Sequence, residues 1–296
     1  MPWPGDLEVT AARAPFQVTT AVEYAAHDGV SLLGDLYVPA GNGPHPVVVA
    51  TPGGAWRMAN RAGLKHWCEF LASHGIAAFG IEYRTSKGGP SFPKAVHDVL
   101  GALKFITGAG SSLGLDASRL GLLGASAGAH LSALTAFAGE EPLFSSAYPS
   151  DPHASARPRV RAVVLAYGIY DLTAHWRATR AEVGAGAEDV TLNFLGNPPE
   201  GAAALYRAAS PIEYLRGGRD APPVLLTWGD ADQLVLPEQS RAFAAELIGA
   251  GVETTQVPVA GAGHHWFSQH PIDDPKGFTA ALAPVEHDFY SAALEA

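Results

Sequence analysis

Leu120-Gly121-Leu122-Leu123-Gly124-Ala125-Ser126-Ala127-Gly128-Ala129-His130-Leu131 runs from an apolar stretch into a serine framed by two glycines and on into residues of helical character. A strand that stops at G-x-S-x-G and passes straight into a helix makes a sharp elbow with the serine hydroxyl at its tip. Small neighbours let that turn close. Ala127, at the head of the helix predicted over 127–138, offers a backbone N–H where developing negative charge is favoured. The pentapeptide alone also fits a glycine-rich turn with a solvated serine. The strand before it and the helix after it favour the elbow.

Short apolar runs at 46–50, 76–81, 120–124, 160–167, 224–228 and 252–259 read as buried strands. Two earlier strands, 17–24 and 30–38, are separated by the turn signal His27-Asp28-Gly29 and suggest an antiparallel hairpin at a sheet edge. Between the strands, sets such as Leu64, Trp67, Cys68 and Leu71, or Val96, Val99, Leu103 and Ile106, recur at helical spacing. Further helices are predicted over 238–248 and parts of 277–294, with Pro284 kinking or dividing the last. The alternation predicts an α/β fold: an eight-stranded, mostly parallel sheet flanked by helices.

Two stretches break the rhythm. Residues 140–159 carry four prolines, and 173–220 is longer than an ordinary connection. The second is read as inserted helices and loops over one end of the sheet, within a single domain spanning 1–296.

Hydrophobic residues make up 47% of the 296, enough to bury one ample core. A net charge of −10, with no Lys/Arg cluster, argues against a nucleic-acid partner. No run of eighteen strongly apolar residues predicts a membrane span. The opening MPWPGDLEVTAARAP lacks the basic-then-apolar order of a secretory signal, and Cys68 is the sole cysteine. The expectation is a cytoplasmic protein with a buried structural thiol.

A serine hydroxyl needs a base, and the base an orienting acid. Gly229-Asp230-Ala231-Asp232 follows the strand at 224–228, and Gly261-Ala262-Gly263-His264-His265 follows the strand at 252–259. Carboxyl ends of parallel strands converge on one sheet edge, so an acid, a histidine and Ser126 can meet there. Either aspartate could instead be a turn carboxylate. Only one of the adjacent histidines can be the base. After the strand at 46–50, Thr51-Pro52-Gly53-Gly54-Ala55-Trp56 offers glycine N–H groups for an oxyanion hole, or else a purely structural turn. No metal signature such as H-E-x-x-H appears, nor a nucleotide-binding glycine loop.

These residues resemble the α/β-hydrolase superfamily, particularly its small carboxylesterases of the hormone-sensitive-lipase-like, acetylxylan/feruloyl-esterase-like and aryl-formamidase-like groups, over roughly 30–267. The fold's order Ser, Asp, His is kept. Where such enzymes commonly read His-Gly-Gly-x-Trp, this chain has Pro52-Gly53-Gly54-Ala55-Trp56. The histidine is lost and the glycines kept, so the hole is expected to survive while the loop's supporting bonds are put in question. The resemblance implies Asp232 as the acid, His264 as the base, and Gly53, Gly54 and Ala127 as oxyanion donors. It implies a supporting role for His130, a structural Arg84–Asp98 pair, and a partial lid over about 173–207 marked by Leu195-Gly196 and Ser210-Pro211. Trp56, Trp176, His265 and Trp266 are expected to line the substrate pocket, with Trp56 and Trp266 narrowing its entrance.

The implied reaction is hydrolysis of a short-acyl carboxylic ester through an acyl-enzyme, with no cofactor, a small-molecule ester as partner, and room for a homo-oligomer. An amide, formamide or peptide hydrolase would use the same residues. A silent binding module would keep the fold without turnover.

Overall fold

Asp28 and Gly29, both at positive φ (52° and 77°), form the two-residue turn that joins β1 (Phe16–His27) to β2 (Val30–Pro39). Positive φ at both central residues matches the twist of a tight hairpin. The computed structural model describes residues 14–183, 189–217 and 221–295. The other strands are β3 (His45–Thr51), β4 (Ala77–Ile81), β5 (Leu115–Ala125), β6 (Val160–Ala166), β7 (Val224–Gly229) and β8 (Thr254–Val259). They form one sheet in the order β1-β2-β4-β3-β5-β6-β7-β8, antiparallel only across β1/β2 and β2/β4. Every predicted strand is present, with ends displaced by a few residues where ladder hydrogen bonds, not apolarity, set the limit.

The helices are α1 (Lys65–Ser73), α2 (Lys94–Ala109), α3 (Ala127–Ala138), α4 (Pro142–Ser145), α5 (Leu172–Val183), α6 (Val190–Leu195), α7 (Ala203–Ala208), α8 (Pro237–Gly249), α9 (Trp266–Gln269) and α10 (Phe278–Glu295). Phe70 of α1 meets His287 of α10 on one face of the sheet, while Phe137 of α3 meets Phe243 of α8 on the other. Of the two outcomes expected at Pro284, a kink or a division, the structure excludes the division: α10 runs through it as one helix. A proline in a helix costs about 3 kcal/mol. Burying Leu282, Tyr290 and Leu294, at about 1.5–3 kcal/mol for each large side chain, outweighs that loss.

Strand order places the site. β3 continues through α1 to β4 on one side, and β5 continues through α3 to β6 on the other. A crevice opens outside the carboxyl ends of neighbours whose connections diverge. Thr51 pairs with Gly124 and Ala125 with Ala166, so the loops after β3, β5 and β6 emerge side by side. The predicted insertion, 173–220, holds α6, α7 and all of α5 but its first residue, while 184–188 and 218–220 lie outside the described residues. It is tied down at both ends: Leu172 N–H donates to Ser210 Oγ (3.0 Å), and the Phe194 carbonyl accepts from Ser91 and Phe92 N–H.

Candidate active site

Ser126 stands between β5 and α3 with φ 54° and ψ −121°, a conformation a non-glycine residue adopts only under constraint. Its N–H donates to the Ala166 carbonyl at 2.9 Å. The flanking glycines are required by space: a Cβ on Gly128 would collide with the carbonyl oxygens of Thr51 and Pro52, and one on Gly124 with the backbone of Gly128 and Ala129. The elbow is therefore pressed against the loop after β3. A Cβ on Gly53 would lie 3.1 Å from Ser126 Cβ, and Gly54 follows it in the same loop.

His264 Nε2 lies 3.0 Å from Ser126 Oγ, and its Nδ1 lies 2.6 Å from Asp232 Oδ2. The network assigns the tautomer: Nδ1–H donates to the carboxylate and Oγ–H donates to Nε2. Asp232 is fixed in turn, since its Oδ1 accepts from Leu234 N–H (2.9 Å) and Val235 N–H (3.0 Å). Its side chain is wholly buried. Asp230 is exposed and accepts from Gly261 N–H at 2.7 Å, clasping the β7 turn to the β8 loop. The two aspartates and two histidines left open by the sequence thus occupy different positions. His265 is exposed, has φ 66°, and meets His264 edge-on at 4.6 Å. Burial, then the neighbouring His264, lowers its pKa.

Two of the expected pocket residues are placed elsewhere. Trp56 is fully buried, stacked on Phe194 at 4.6 Å, and its Nε1–H donates to His130 Nδ1 at 3.1 Å. It narrows no entrance. Trp266 is 2% exposed and packs on Tyr167, Phe267 and Phe278 beneath the His264 loop. Both indoles are drawn inward because loops that carry polar site groups need apolar anchors behind them. Trp176 is buried in α5 with the Arg180 guanidinium 4.9 Å over its ring.

His130 has the supporting position that the family resemblance implied. Its Nε2–H donates to the Ala209 carbonyl (2.7 Å) while Nδ1 accepts from Trp56. Burial holds its pKa down at about 4, against the opposing effect of the Ala209 bond, so the ring is neutral. The Arg84–Asp98 pair is also present, with Nη2 to Oδ1 at 2.7 Å. Beside it, β4's following segment holds the Pro52 loop: Tyr83 O–H donates to the Pro52 carbonyl (3.1 Å), and Ser86 N–H to the Trp56 carbonyl (2.7 Å).

Sequence reasoning missed three groups. His27 bridges Asp98 (2.7 Å) and Asp151 (2.8 Å); burial opposes its charge, but the two carboxylate bonds prevail and raise its pKa. His66 and Trp67 of α1 both donate to the Phe267 carbonyl, at 2.9 and 2.7 Å, holding the segment after His264. Tyr167, just past β6, lies with its ring 4.4 Å from that of His264. No local pattern marks these, since the partners are 71 to 201 residues apart.

No helix among the described residues is long and apolar enough to cross a membrane. The chain is 32% identical over 227 residues to esterase LipC and 30% identical over 233 residues to esterase LipQ, both of Mycobacterium tuberculosis. Those matches take in 75% of this chain and 53% and 50% of the relatives, so the chain spans about half the length of the curated relatives it matches. Among solved structures, the apo form of Thermogutta terrifontis esterase 2 superposes with TM-score 0.74 at 24% identity, over 97% of this chain and 98% of that one. The same esterase phosphorylated by paraoxon gives TM-score 0.72 at 23% identity, over 97% of both chains. These neighbours have the α/β-hydrolase fold found here. The BD-FAE family model matches residues 34–247, more than half of the sequence, and the chain belongs to the BD-FAE family.

Proposed function

We propose that this chain is a serine carboxylesterase acting on short-acyl esters. The observation that carries the reading is the continuous line from Asp232 through His264 to Ser126, at 2.6 and 3.0 Å, on the crevice of the sheet. Ser126 attacks the acyl carbon as His264 Nε2 takes its proton, and the imidazolium then passes that proton to the departing alkoxide. Water, deprotonated by the same ring, releases the acid. Asp232 holds the tautomer and opposes the charge. Backbone N–H groups of Gly54, Ala127 and Gly53 receive the tetrahedral oxygen, each worth about 3–4 kcal/mol.

The names of the mycobacterial relatives and of the structural neighbours support esterase chemistry. The lid is assigned to 173–207 of a single domain, with Trp176 and His265 beside the substrate. A cytoplasmic setting agrees with a lone, buried cysteine, and the net charge of −10 gives a nucleic acid no purchase.

The test is kcat/KM across p-nitrophenyl esters of about two to twelve acyl carbons, with an N-formyl arylamine and a peptide anilide alongside. Highest efficiency is expected from acetyl to butyryl, with an aromatic or sugar-like leaving group. A maximum at ten or twelve carbons would make the enzyme lipase-like, and preference for the formamide would make it an amide hydrolase. Absence of turnover, together with no labelling of Ser126 by a fluorophosphonate or by paraoxon, would leave a silent module.

A further inference from the structure

We propose that Tyr167 is a positioning residue for His264, its ring face stabilising the imidazolium that forms whenever the base holds a proton. The proposal deepens the esterase reading and rests on His264 being the base.

Tyr167 follows the last residue of β6, Ala166, whose carbonyl accepts the Ser126 N–H. The chain there is already beside the elbow. Tyr167 takes φ 40°, a region a bulky side chain avoids, and its own N–H is fixed to the Thr227 carbonyl at 2.7 Å. The positive φ falls on the aromatic residue and not on the glycine that follows it at 168. That strain directs the ring along the carboxyl edge of the sheet into the β8 loop. There it lies 4.4 Å from the His264 ring at 52°, with Trp266 and Phe267 behind it at 6.2 and 6.3 Å.

Two further facts separate this ring from ordinary packing. The His264 side chain is 5% exposed, so water contributes little to solvating a charge on it. Asp232 meets the imidazolium at Nδ1, in the ring plane, whereas the Tyr167 ring packs beside it within the roughly 6 Å over which an aromatic face attracts a cation. The phenol is anchored separately, its O–H donating to Ser268 Oγ at 3.4 Å. In the acylation step the Oγ–H bond breaks and its proton moves to Nε2, the Oγ–carbon bond forms, and the carbonyl π pair becomes the oxyanion. The cation and its aromatic neighbour coexist from that point until the proton leaves with the alcohol, and again in deacylation while the ring holds the proton taken from water, so the contact acts on kcat and not on substrate binding.

The experiment replaces Tyr167 by phenylalanine and by mono-, di- and trifluorinated phenylalanines, which keep ring shape while draining the π face. Each is assayed on p-nitrophenyl acetate beside the native protein and His264→Ala, with thermal melting to confirm folding. From Tyr167→Phe to the trifluorinated ring, kcat is expected to fall stepwise by about 3- to 30-fold in all, the rate equivalent of a cation–π contact, with KM within about twofold. A flat kcat across the series on an active native enzyme overturns the proposal. So does a change confined to KM, which would make the ring a pocket wall. Equal rates for native protein and His264→Ala would show that the esterase reading itself had failed.

Discussion

Replacing Asp232 by asparagine asks for a choice that the structure decides. An amide offers one oxygen and one NH2 where the carboxylate offered two acceptors. Leu234 and Val235 N–H point at the Oδ1 position from 2.9 and 3.0 Å, and His264 Nδ1 faces Oδ2 from 2.6 Å. With the NH2 toward the two backbone donors, both would lose their acceptor, the buried one of Val235 at about 1–3 kcal/mol. With the amide oxygen there and the NH2 toward Nδ1, a single conflict remains, and a change of imidazole tautomer removes it. The second arrangement wins, since it keeps both backbone bonds. It puts the ring proton on Nε2, which can then no longer take the proton of Ser126.

Asp232→Asn is therefore expected to lower kcat on p-nitrophenyl acetate by about ten-thousand-fold, equivalent to about 5 kcal/mol of transition-state stabilisation. Its fold should change little, because the two backbone bonds survive. Asp230→Asn keeps an oxygen for Gly261 N–H, is exposed, and should stay within a few-fold of native kcat. Steady-state kinetics with thermal melting checks both. Equal losses in two folded variants, or a near-native Asp232→Asn, would refute the reasoning.

The remaining expectations use the same assays. His264→Ala should abolish steady-state turnover, whereas His265→Ala, at an exposed ring edge-on to the base, should alter KM or acyl preference; the reverse pattern would reassign the base. Trp56→Phe strands the buried His130 Nδ1 and should lower stability by about 1–3 kcal/mol in urea unfolding; no loss would show that the bond carries no weight. His130 and His175 are buried and neutral with pKa values held down to about 4. Unfolding lets each take a proton near its ordinary 6.5, so the unfolded state binds more protons below that pH and stability falls on acidification, by about 1.4 kcal/mol per pH unit for each histidine down to about pH 4. Unfolding free energies measured from pH 7 to 4.5 check the slope, and a smaller slope in His130→Gln should isolate one contribution.

The middle of the sheet was legible because β3, β4, β6, β7 and the end of β5 are buried and therefore read as apolar runs, and because the elbow is local: strand, glycine, serine, glycine and helix all lie within 120–131. The acid and base were legible only as pairs, Asp230 or Asp232 and His264 or His265, until the family resemblance chose between them. Which member of each pair faces Ser126 depends on one residue's turn geometry, such as the positive φ of His265, and neighbouring side types do not encode that. The tryptophans were misplaced for a related reason. Trp56 looks like a pocket wall from its closeness to Gly54, yet its partners, His130 and Phe194, lie 74 and 138 residues further along. His27 carried no signal at all. A histidine in a hairpin turn is ordinarily solvated, and only the tertiary arrival of Asp98 and Asp151 makes it a bridge between two carboxylates.

Proline at position 52 shows how the chain keeps a loop whose usual histidine is gone. A proline has no N–H and offers no polar side chain, so the loop is held by its carbonyls. Tyr83 O–H takes the Pro52 carbonyl, and Ser86 takes that of Trp56 through both its N–H (2.7 Å) and its Oγ–H (3.2 Å). Across a trans peptide the C=O and the following N–H point in opposite directions. Pinning the Pro52 oxygen to Tyr83 therefore also fixes the direction of the Gly53 N–H, on the far side of the same rigid plane. Since the Gly53 backbone lies against Ser126, the buried phenol of Tyr83 holds from behind the aim of the N–H that we propose as an oxyanion donor. The fully buried Trp56 indole performs the parallel task for the other end of the loop, and it passes the constraint through neutral His130 to Ala209, where the chain leaves the inserted helices.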